Sequence, residues 1–462
     1  MSKREAADVL EEIESSYNVK SITYNNIPLW PILRVYIGSQ LHFEKDRTVR
    51  LNTQNALSGI RYFFRGVKYL FTRFDYLSFT SSDQRKRIEG KMLDRSDFIS
   101  KDFGRGLTVE TPMSKHFSRD MYDGPMTSHM FMYAIEFLMV KLMSSKIRRF
   151  NNLDVLQRIE KDFNVSVNPI FLTKRFRAQF KLISVLNQIW KTKFVITTTA
   201  YMRYGYVYYF KMNDIPVIEL QHGVINTSHN AYNVYTEIDP NFYPDYLLTF
   251  GENEREVFKE SMYIAFEKTI AAGSFYIDHM SNLTLDNTIQ KKYKQYDRYV
   301  AVVLQDMFDE QLFEFMEKGF KQLEKTLFVL IPRNKNSEYY KSKFELLENM
   351  VFEESLNTYE IIKMCDIHTT INSTTAIEAP SLGTPNVFVN VDGLSRQYFE
   401  NTLKNRKVNH FSDTIEDYIS VVESYMKCDS LEVKKSNEDI FKQGFSTNLN
   451  TALKIMYGDI EK

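Results

Sequence analysis

Short runs of β-branched and aromatic residues alternate along this chain with longer helical stretches, and this alternation restricts the fold more than any other feature. We predict strands near residues 76–80, 107–109, 194–199, 217–220, 246–250, 270–272, 299–304, 327–331, 367–371 and 387–390. A repeated strand–helix–strand order is typical of a parallel sheet covered by helices on both faces. The sequence therefore predicts an α/β fold.

A polar segment at residues 281–298 separates two such series. It is rich in Lys, Tyr and Gln and has no strand pattern, so we expect a linker there. The linker would divide an N-terminal lobe at 1–280 from a C-terminal lobe at 299–462 that ends in helices. We expect two Rossmann-like, doubly wound lobes, with a ligand cleft at the carboxyl ends of their strands.

Composition excludes several classes of protein. The 59 basic and 59 acidic residues balance, so no general attraction to nucleic acid is expected. Two cysteines are too few for a disulfide framework or a cysteine-based zinc site. The charged first 20 residues do not resemble a secretory signal, and no apolar run is long enough to span a membrane. We therefore expect a cytoplasmic location.

The strand at 217–220 is followed by His222 and Gly223. A histidine at the carboxyl end of a parallel strand is placed to donate to a phosphate or to transfer a proton. The glycine would let a ligand approach the backbone closely. A histidine that only satisfies loop carbonyls fits the same pattern.

In the second series, a strand leads through Ser373, Thr374 and Thr375 into a helix. Hydroxyl side chains and free N–H groups at a helix start favour an anion, and a diphosphate would suit this position. Glu378, one turn into the helix, can accept hydrogen bonds from sugar or ribose hydroxyls. An ordinary helix cap would give the same residues.

Two further residues are candidates for donor binding. Arg333 follows the strand at 327–331 and can bind a phosphate, although a solvated loop charge is an equal explanation. Gly273 follows the strand at 270–272 and is placed to contact a nucleotide. No Asp-x-Asp pair and no His-plus-carboxylate cluster is present, so we expect no metal site.

The order of these motifs resembles the GT-B glycosyltransferases of bacterial capsule and surface polysaccharide synthesis. In particular, it resembles the group related to teichoic-acid glycerophosphotransferases and bacterial polysialyltransferases. The matching positions are Trp30 to Arg34, His222-Gly223, Tyr246 to Gly251, Gly273, Ser373 to Thr375, Glu378, Gly383 and Pro385. The resemblance implies metal-independent transfer of a sugar or polyol phosphate from a nucleotide-activated donor to a hydroxyl of a glycan or lipid-linked acceptor. No other cofactor is implied.

The sequence departs from this family at two places. Ile331-Pro332 stands where many relatives have His-Pro, and the acidic pair before a glycine is reduced to the single Asp123. His222 remains the matched catalytic candidate, while the general base is left open. Asp123, Glu110 at the end of the strand at 107–109, and Asp83 are all candidates by position.

Residues 60–74 combine four basic side chains with seven Phe, Tyr or Leu side chains and no acid. Such a segment suits the surface of an anionic membrane, and a core helix with a basic solvated face would also explain it. Two other functions stay open as well. The chain could be a nucleotide-sugar 2-epimerase, or a non-catalytic partner in capsule assembly.

Overall fold

A computed structural model describes residues 3–43, 62–113, 116–144, 149–227, 229–424 and 429–460. The chain divides into two compact units, Met1–Ala272 with Ser446–Lys462 and Gly273–Phe445. The strands are β1 (Thr23–Tyr24), β2 (Ile27–Pro28), β3 (Tyr76–Ser81), β4 (Lys86–Ile88), β5 (Lys91–Leu93), β6 (Gly106–Thr111), β7 (Met126–Ser128), β8 (Phe150–Asn151), β9 (Phe194–Thr197), β10 (Val217–Leu220), β11 (Tyr246–Thr249), β12 (Thr269–Ala271), β13 (Arg298–Val303), β14 (Thr326–Ile331), β15 (Met350–Phe352), β16 (Ile367–Thr369), β17 (Asn386–Val389) and β18 (Asn409–Ser412).

The helices in the described ranges are α1 (Lys3–Ser16), α2 (Trp30–Phe43), α3 (Met130–Leu142), α4 (Leu153–Asp162), α5 (Pro169–Trp190), α6 (Tyr204–Lys211), α7 (Glu252–Arg255), α8 (Phe275–Asn282), α9 (Thr288–Lys292), α10 (Asp309–Gln322), α11 (Ser337–Lys343), α12 (Thr358–Met364), α13 (Thr375–Leu382), α14 (Leu394–Phe399), α15 (Ile415–Ser424), α16 (Ser430–Lys435) and α17 (Phe445–Ile460). None of these helices is long and apolar enough to cross a membrane.

The first unit is built on a seven-stranded parallel sheet in the order β12-β11-β10-β9-β3-β6-β7. Every residue of β9, β10 and β11 is buried, as expected for strands with helices on both faces. Leu77, Val195 and Val217, which the strand pairing places on one face, pack with α5 and α6 around Trp190. Helices α1 and α2 belong to a second buried cluster that includes Leu247 of β11. From β3, the chain first adds β6 and β7 on one side of the sheet and then adds β9 to β12 on the other, so the switch point lies between β3 and β9. In sheets of this kind, ligands bind at the carboxyl ends of the strands next to the switch point.

The second unit has a six-stranded parallel sheet in the order β15-β14-β13-β16-β17-β18. Counted from β13, this is the 3-2-1-4-5-6 arrangement of a Rossmann-type sheet, with its switch point between β13 and β16. All six residues of β14 are buried. Leu312, Met316 and Phe320 on one face of α10 pack onto the same core.

These topologies confirm the predicted fold class, α/β with two Rossmann-like, doubly wound units. All ten predicted strands are present, with ends shifted by one or two residues. Within the two parallel sheets, β7, β15 and β18 were not predicted; they are only three or four residues long and lie at the sheet edges. The two- and three-residue strands β1, β2, β4, β5 and β8 of the small antiparallel sheets were not predicted either. Short strands of this kind carry too few residues for a clear pattern.

The two units differ from the predicted domains at both boundaries. Residues 281–298 contain the whole of α9 and belong to the second unit, where Lys363 donates to the carbonyls of Met280, Ser281 and Leu283. Residues 446–462, predicted in the second lobe, belong to the first unit. Asn450 explains this assignment, because its amide donates to the Phe98 carbonyl at 2.9 Å.

Candidate active site

The carboxyl edge of the first unit's sheet brings together side chains from three strands. Asp83 follows β3, Thr198 and Thr199 follow β9, and His222 follows β10. Strands β3 and β9 flank the switch point, where the connections leave in opposite directions and open a crevice, and β10 is the next strand beyond β9. Of the predicted catalytic residues, His222 therefore lies at the expected position.

His222 is half-buried, and its Nδ1 has no hydrogen-bond partner in the described part of the chain. Burial and the guanidinium groups of Arg95 and Arg203 lower the pKa of His222 to about 4, against smaller opposite effects of Asp83 and the Thr198 carbonyl. The ring is therefore neutral at neutral pH. A neutral imidazole with an unoccupied nitrogen can accept a hydrogen bond or a proton from a ligand.

The loop after β10 is fixed by the two N-terminal helices. The guanidinium of Arg34, on α2, donates to the carbonyls of Asn230 and Asn233. Glu14, on α1, accepts from Arg34 and from the Trp30 indole at 2.8 Å. The Trp30 to Arg34 motif thus holds the loop that begins at His222, a positioning role that the resemblance alone did not provide.

Glu110 does not have the geometry predicted for an acceptor base. It is fully buried at the end of β6 and accepts from Arg85, from His116 Nδ1 at 2.7 Å and from the Tyr122 hydroxyl at 2.8 Å. Burial alone would raise its pKa, but these hydrogen bonds and the Arg85 charge keep the pKa below its usual value. Both carboxylate oxygens of Glu110 accept hydrogen bonds from side chains of the same unit, so Glu110 stabilises the fold here and has no oxygen free to accept a proton from an acceptor hydroxyl.

Asp123 and Asp83 are both exposed, and Asp83 is one of the charged groups that act electrostatically on His222. Asp123 sits in a loop and pairs with Lys91 at 3.4 Å, with more than half of its side chain exposed. Asp83 acts electrostatically on both His222 and Arg95, and its carboxylate accepts from the Ser81 hydroxyl. The geometry therefore favours Asp83 among the three carboxylates predicted by position.

In the second unit, the segment between β16 and α13 lies at the switch point. Thr370 donates to the Val303 carbonyl at the end of β13 at 3.0 Å, which joins the two strands across this point. Ser373 is buried and Thr375 is half-buried, whereas Thr374 is exposed and its side chain makes no capping bond. The predicted hydroxyl-rich helix start is present, with one hydroxyl open to a ligand.

A buried histidine, which the sequence analysis did not select, orients these hydroxyls. His368 Nδ1 lies 2.7 Å from Asn386 Oδ1, and its Nε2 lies 2.9 Å from the Thr375 hydroxyl. Burial lowers the pKa of His368 to about 4, so the ring is neutral. Because the Asn386 amide donates to the Ala376 carbonyl, its Oδ1 is left to accept from His368 Nδ1–H. The Ser373 hydroxyl, 2.9 Å from that of Thr375, completes the chain.

Glu378 and Arg333 have partners within the second unit. The Tyr359 hydroxyl lies 3.1 Å from each carboxylate oxygen of half-buried Glu378. Arg333 follows β14 and donates to the Gln305 side chain, which follows β13, at 3.0 Å. Arg333 is therefore exposed at the same edge of the sheet as the helix start.

Gly223 and Gly273, the two glycines predicted to contact a ligand, differ in the space around them. A Cβ at Gly223 would meet nothing within 4 Å, so open space surrounds this residue. Gly273 has a φ of +95°, and a Cβ there would come within 2.0 Å of the Lys442 carbonyl oxygen. Close chain packing explains Gly273 without a nucleotide, so its predicted contact with a donor is not needed to account for it.

Within the described residues, no group of three or more His, Cys, Asp or Glu side chains is arranged to hold a metal ion. Cys365 is buried and free, and Cys428 lies outside the described residues.

The two sheet edges define an α/β protein with two Rossmann-like units, each carrying polar side chains at its switch point. No protein-family model and no curated protein matches the chain. Among solved structures it is similar to the S. aureus MnaA–UDP co-structure, with 12% identity over 84% of this chain and 98% of that chain and a TM-score of 0.49.

Two other similar structures represent different named activities. For CalG4, the calicheamicin glycosyltransferase, identity is 11% over 84% of this chain and 99% of that chain, with a TM-score of 0.48. For UDP-GlcNAc 2-epimerase from Neisseria meningitidis bound to UDP-GlcNAc, identity is 12% over 83% and 99%, with a TM-score of 0.44.

Proposed function

We propose that this chain is a GT-B type transferase that moves a sugar or polyol phosphate from a nucleotide-activated donor to a hydroxyl of a capsule or surface glycan, or of a lipid-linked acceptor. The observation that carries the proposal is the oriented hydroxyl cluster at the switch point of the second unit. Ser373 and Thr375 are fixed there through His368, at the position where Rossmann-type sheets bind nucleotides.

The second unit would hold the donor. The exposed Thr374 hydroxyl, at the positive end of α13, and the Arg333 guanidinium can stabilise the negative charge that develops on the leaving phosphate. Glu378 is placed to accept from a sugar or ribose hydroxyl. These donors supply charge stabilisation from the chain's own residues.

The first unit would hold the acceptor. Asp83 is an exposed carboxylate that follows β3 and acts electrostatically on His222, and we assign it as the base that removes the proton from the acceptor hydroxyl. The open space around Gly223 would admit the acceptor. Glu110 and Asp123 are thereby replaced as candidates for this step.

A thermal-shift panel with CMP, CDP, UDP, GDP and their activated sugars tests the donor site. A ligand at ~100 times its dissociation constant stabilises a protein by about 2.7 kcal/mol, which corresponds to a shift of roughly 5–10 °C. We expect one nucleotide to shift the wild type and Glu324→Ala, an exposed carboxylate control in the same unit. Glu378→Ala should lose that shift.

The reaction itself distinguishes the alternatives. Nucleotide release that requires an acceptor supports transfer, and conversion of the donor alone into a new sugar nucleotide would show a 2-epimerase instead. The absence of any nucleotide shift would contradict the proposal and favour a non-catalytic partner in capsule assembly.

We also propose that the first unit lies peripherally on an anionic membrane. The predicted segment 60–74 is described from residue 62, and Val67–Phe71 forms a short 3-10 helix rather than a continuous α-helix. Phe64 and Phe71 are 76% and 69% exposed, and Leu142 on the neighbouring α3 is 77% exposed. The Phe63 and Phe131 rings, 5.1 Å apart, join this segment to α3.

Charge reversal at Lys68 and Lys141, both exposed on this surface, should weaken liposome binding. Each basic residue near an anionic surface adds about 1 kcal/mol, so the double variant Lys68→Glu/Lys141→Glu should bind phosphatidylserine vesicles at least ~10-fold more weakly. Co-sedimentation with such vesicles measures this effect. The control Lys318→Glu/Lys341→Glu, in the second unit, should bind like the wild type, and equal binding by all three proteins would refute the membrane proposal.

A further inference from the structure

The buried guanidinium of Arg203 is not paired with a carboxylate among the described residues. Arg203 is 8% exposed and lies at the start of α6. Its Nη1 donates to the Thr197 hydroxyl at 3.4 Å and to the hydroxyl and carbonyl of Thr199. Its Nε is buried and has no hydrogen-bond partner. Glu219 and Glu136 act on it only at longer range. A buried cation without a close counter-charge is costly, which favours an anion from outside the chain.

A second arginine places positive charge at the same edge. Arg95 is also 8% exposed and donates from Nη1 to the Gln84 side chain at 3.1 Å. The Asp94 carboxylate lies 3.7 Å from it. The guanidinium charges of Arg95 and Arg203 both act electrostatically on His222. Arg95 therefore adds a second positive charge to the edge where the buried Arg203 lies.

His222 contributes an unoccupied nitrogen at the same sheet edge. Its Nδ1 has no hydrogen-bond partner in the described part of the chain, and its ring lies 6.5 Å from the Tyr201 ring. The charged groups that act on it are Arg95, Arg203 and the exposed Asp83. Two guanidinium groups at one sheet edge can bind a phosphate or carboxylate, and the Nδ1 of His222 can accept a hydrogen bond from a protonated oxygen of that group.

We propose that the carboxyl edge of the first unit's sheet is an anion-binding site built by Arg203, Arg95 and His222. It takes a phosphate or carboxylate group of the molecule that the first unit binds. If the proposed function holds, on which this last step rests, that molecule is the acceptor, and the acceptor carries a negative charge close to the hydroxyl that reacts. Asp83 would then act beside the bound anion.

Calorimetric titration of the full chain with inorganic phosphate, and separately with acetate, tests the site in a buffer without other multivalent anions. We expect saturable binding of at least one of the two anions. Because a hydrogen bond to a charged group is strong, Arg203→Gln should weaken that binding by at least ~10-fold. Arg158→Gln, an exposed arginine on α4 of the same unit, serves as the control and should bind like the wild type.

Two further measurements keep the test decisive. Arg203→Lys retains the charge and should weaken binding less than Arg203→Gln, which separates loss of the site from loss of the fold. In NMR spectra of histidine-labelled protein, the anion should shift the His222 signal, assigned by its absence in His222→Gln.

Three outcomes would overturn the proposal: no saturable binding, equal binding by the Arg203 and Arg158 variants, or binding that is lost in Arg333→Gln instead. The last would place the anion in the second unit. A nucleotide-induced thermal shift that persists when phosphate and acetate fail to bind would leave the proposed donor site intact. Failure of this inference is thereby distinguished from failure of the proposed function.

Discussion

Replacing Asp83 with Asn should lower the rate of transfer by roughly 10²- to 10⁴-fold, the usual contribution of a general base. The carboxylate follows β3 at the switch point, is exposed and acts electrostatically on His222. Asn keeps the size of the side chain and its ability to accept from the Ser81 hydroxyl, but it cannot accept a proton. The expected loss is therefore in kcat, with little change in the binding of the nucleotide.

The measurement is a transfer assay over a range of pH with each of the three carboxylate variants. Asp83→Asn should lose the acid limb of the kcat profile, because the group whose ionisation creates the base is gone. Asp123→Asn should retain activity within about 2-fold, since an exposed ion pair adds little. Glu110→Gln should act mainly on stability, because it breaks a buried cluster with Arg85. A fully active Asp83→Asn would contradict the assignment.

The strands could be predicted from the sequence because each is a local pattern. β10 and β14, for example, are runs of consecutive buried residues, largely β-branched or leucine, with turn residues around them. The carboxyl ends of the strands follow from the same patterns, so the placement of His222 and Thr374 after a strand was also accessible. The strand order, and with it the switch points, came from the structure.

The roles of Glu110 and Gly273 could not be predicted in this way, because distant residues decide them. Glu110 is enclosed by Arg85, 25 positions earlier in the chain, and by His116 and Tyr122 on a later loop. Gly273 meets the carbonyl of Lys442, far along the chain. The sequence places each residue at a strand end, and it contains no signal for what packs against that end.

The residues that were missed lack a local signal for a different reason. His368 lies inside β16, and its neighbours in the sequence do not distinguish it from any other buried strand residue. Its role in orienting the hydroxyl groups depends on its contacts with Asn386 and Thr375. Arg203 is one of 59 basic residues, and only its burial at the start of α6 distinguishes it. Burial of a charged side chain is a property of the fold, so structure was needed to find both.

The second large effect is expected at Arg34, whose replacement by Leu should destabilise the first unit by about 3–5 kcal/mol, the usual cost of breaking a buried ion pair. Arg34 is 2% exposed, and its loss leaves the carboxylate of Glu14 buried without a counter-charge. It also leaves the carbonyls of Asn230 and Asn233 without their donor. Each of these losses costs free energy in the folded state.

Tryptophan fluorescence during denaturation by urea measures this effect in the unit where it arises. The chain has two tryptophans, and both Trp30 and Trp190 lie in the first unit, so the signal follows that unit alone. The control Lys20→Gln removes an exposed ion pair with Glu237, 3.8 Å long, and should change stability by less than about 1 kcal/mol. In a double-mutant cycle, the loss of unfolding free energy in Arg34→Leu/Glu14→Gln should be smaller than the sum of the losses in the two single variants. The reason is that Glu14→Gln removes the buried carboxylate charge that Arg34→Leu leaves unpaired. Additive costs, or an unchanged midpoint for Arg34→Leu, would show that the loop after β10 is held by other contacts.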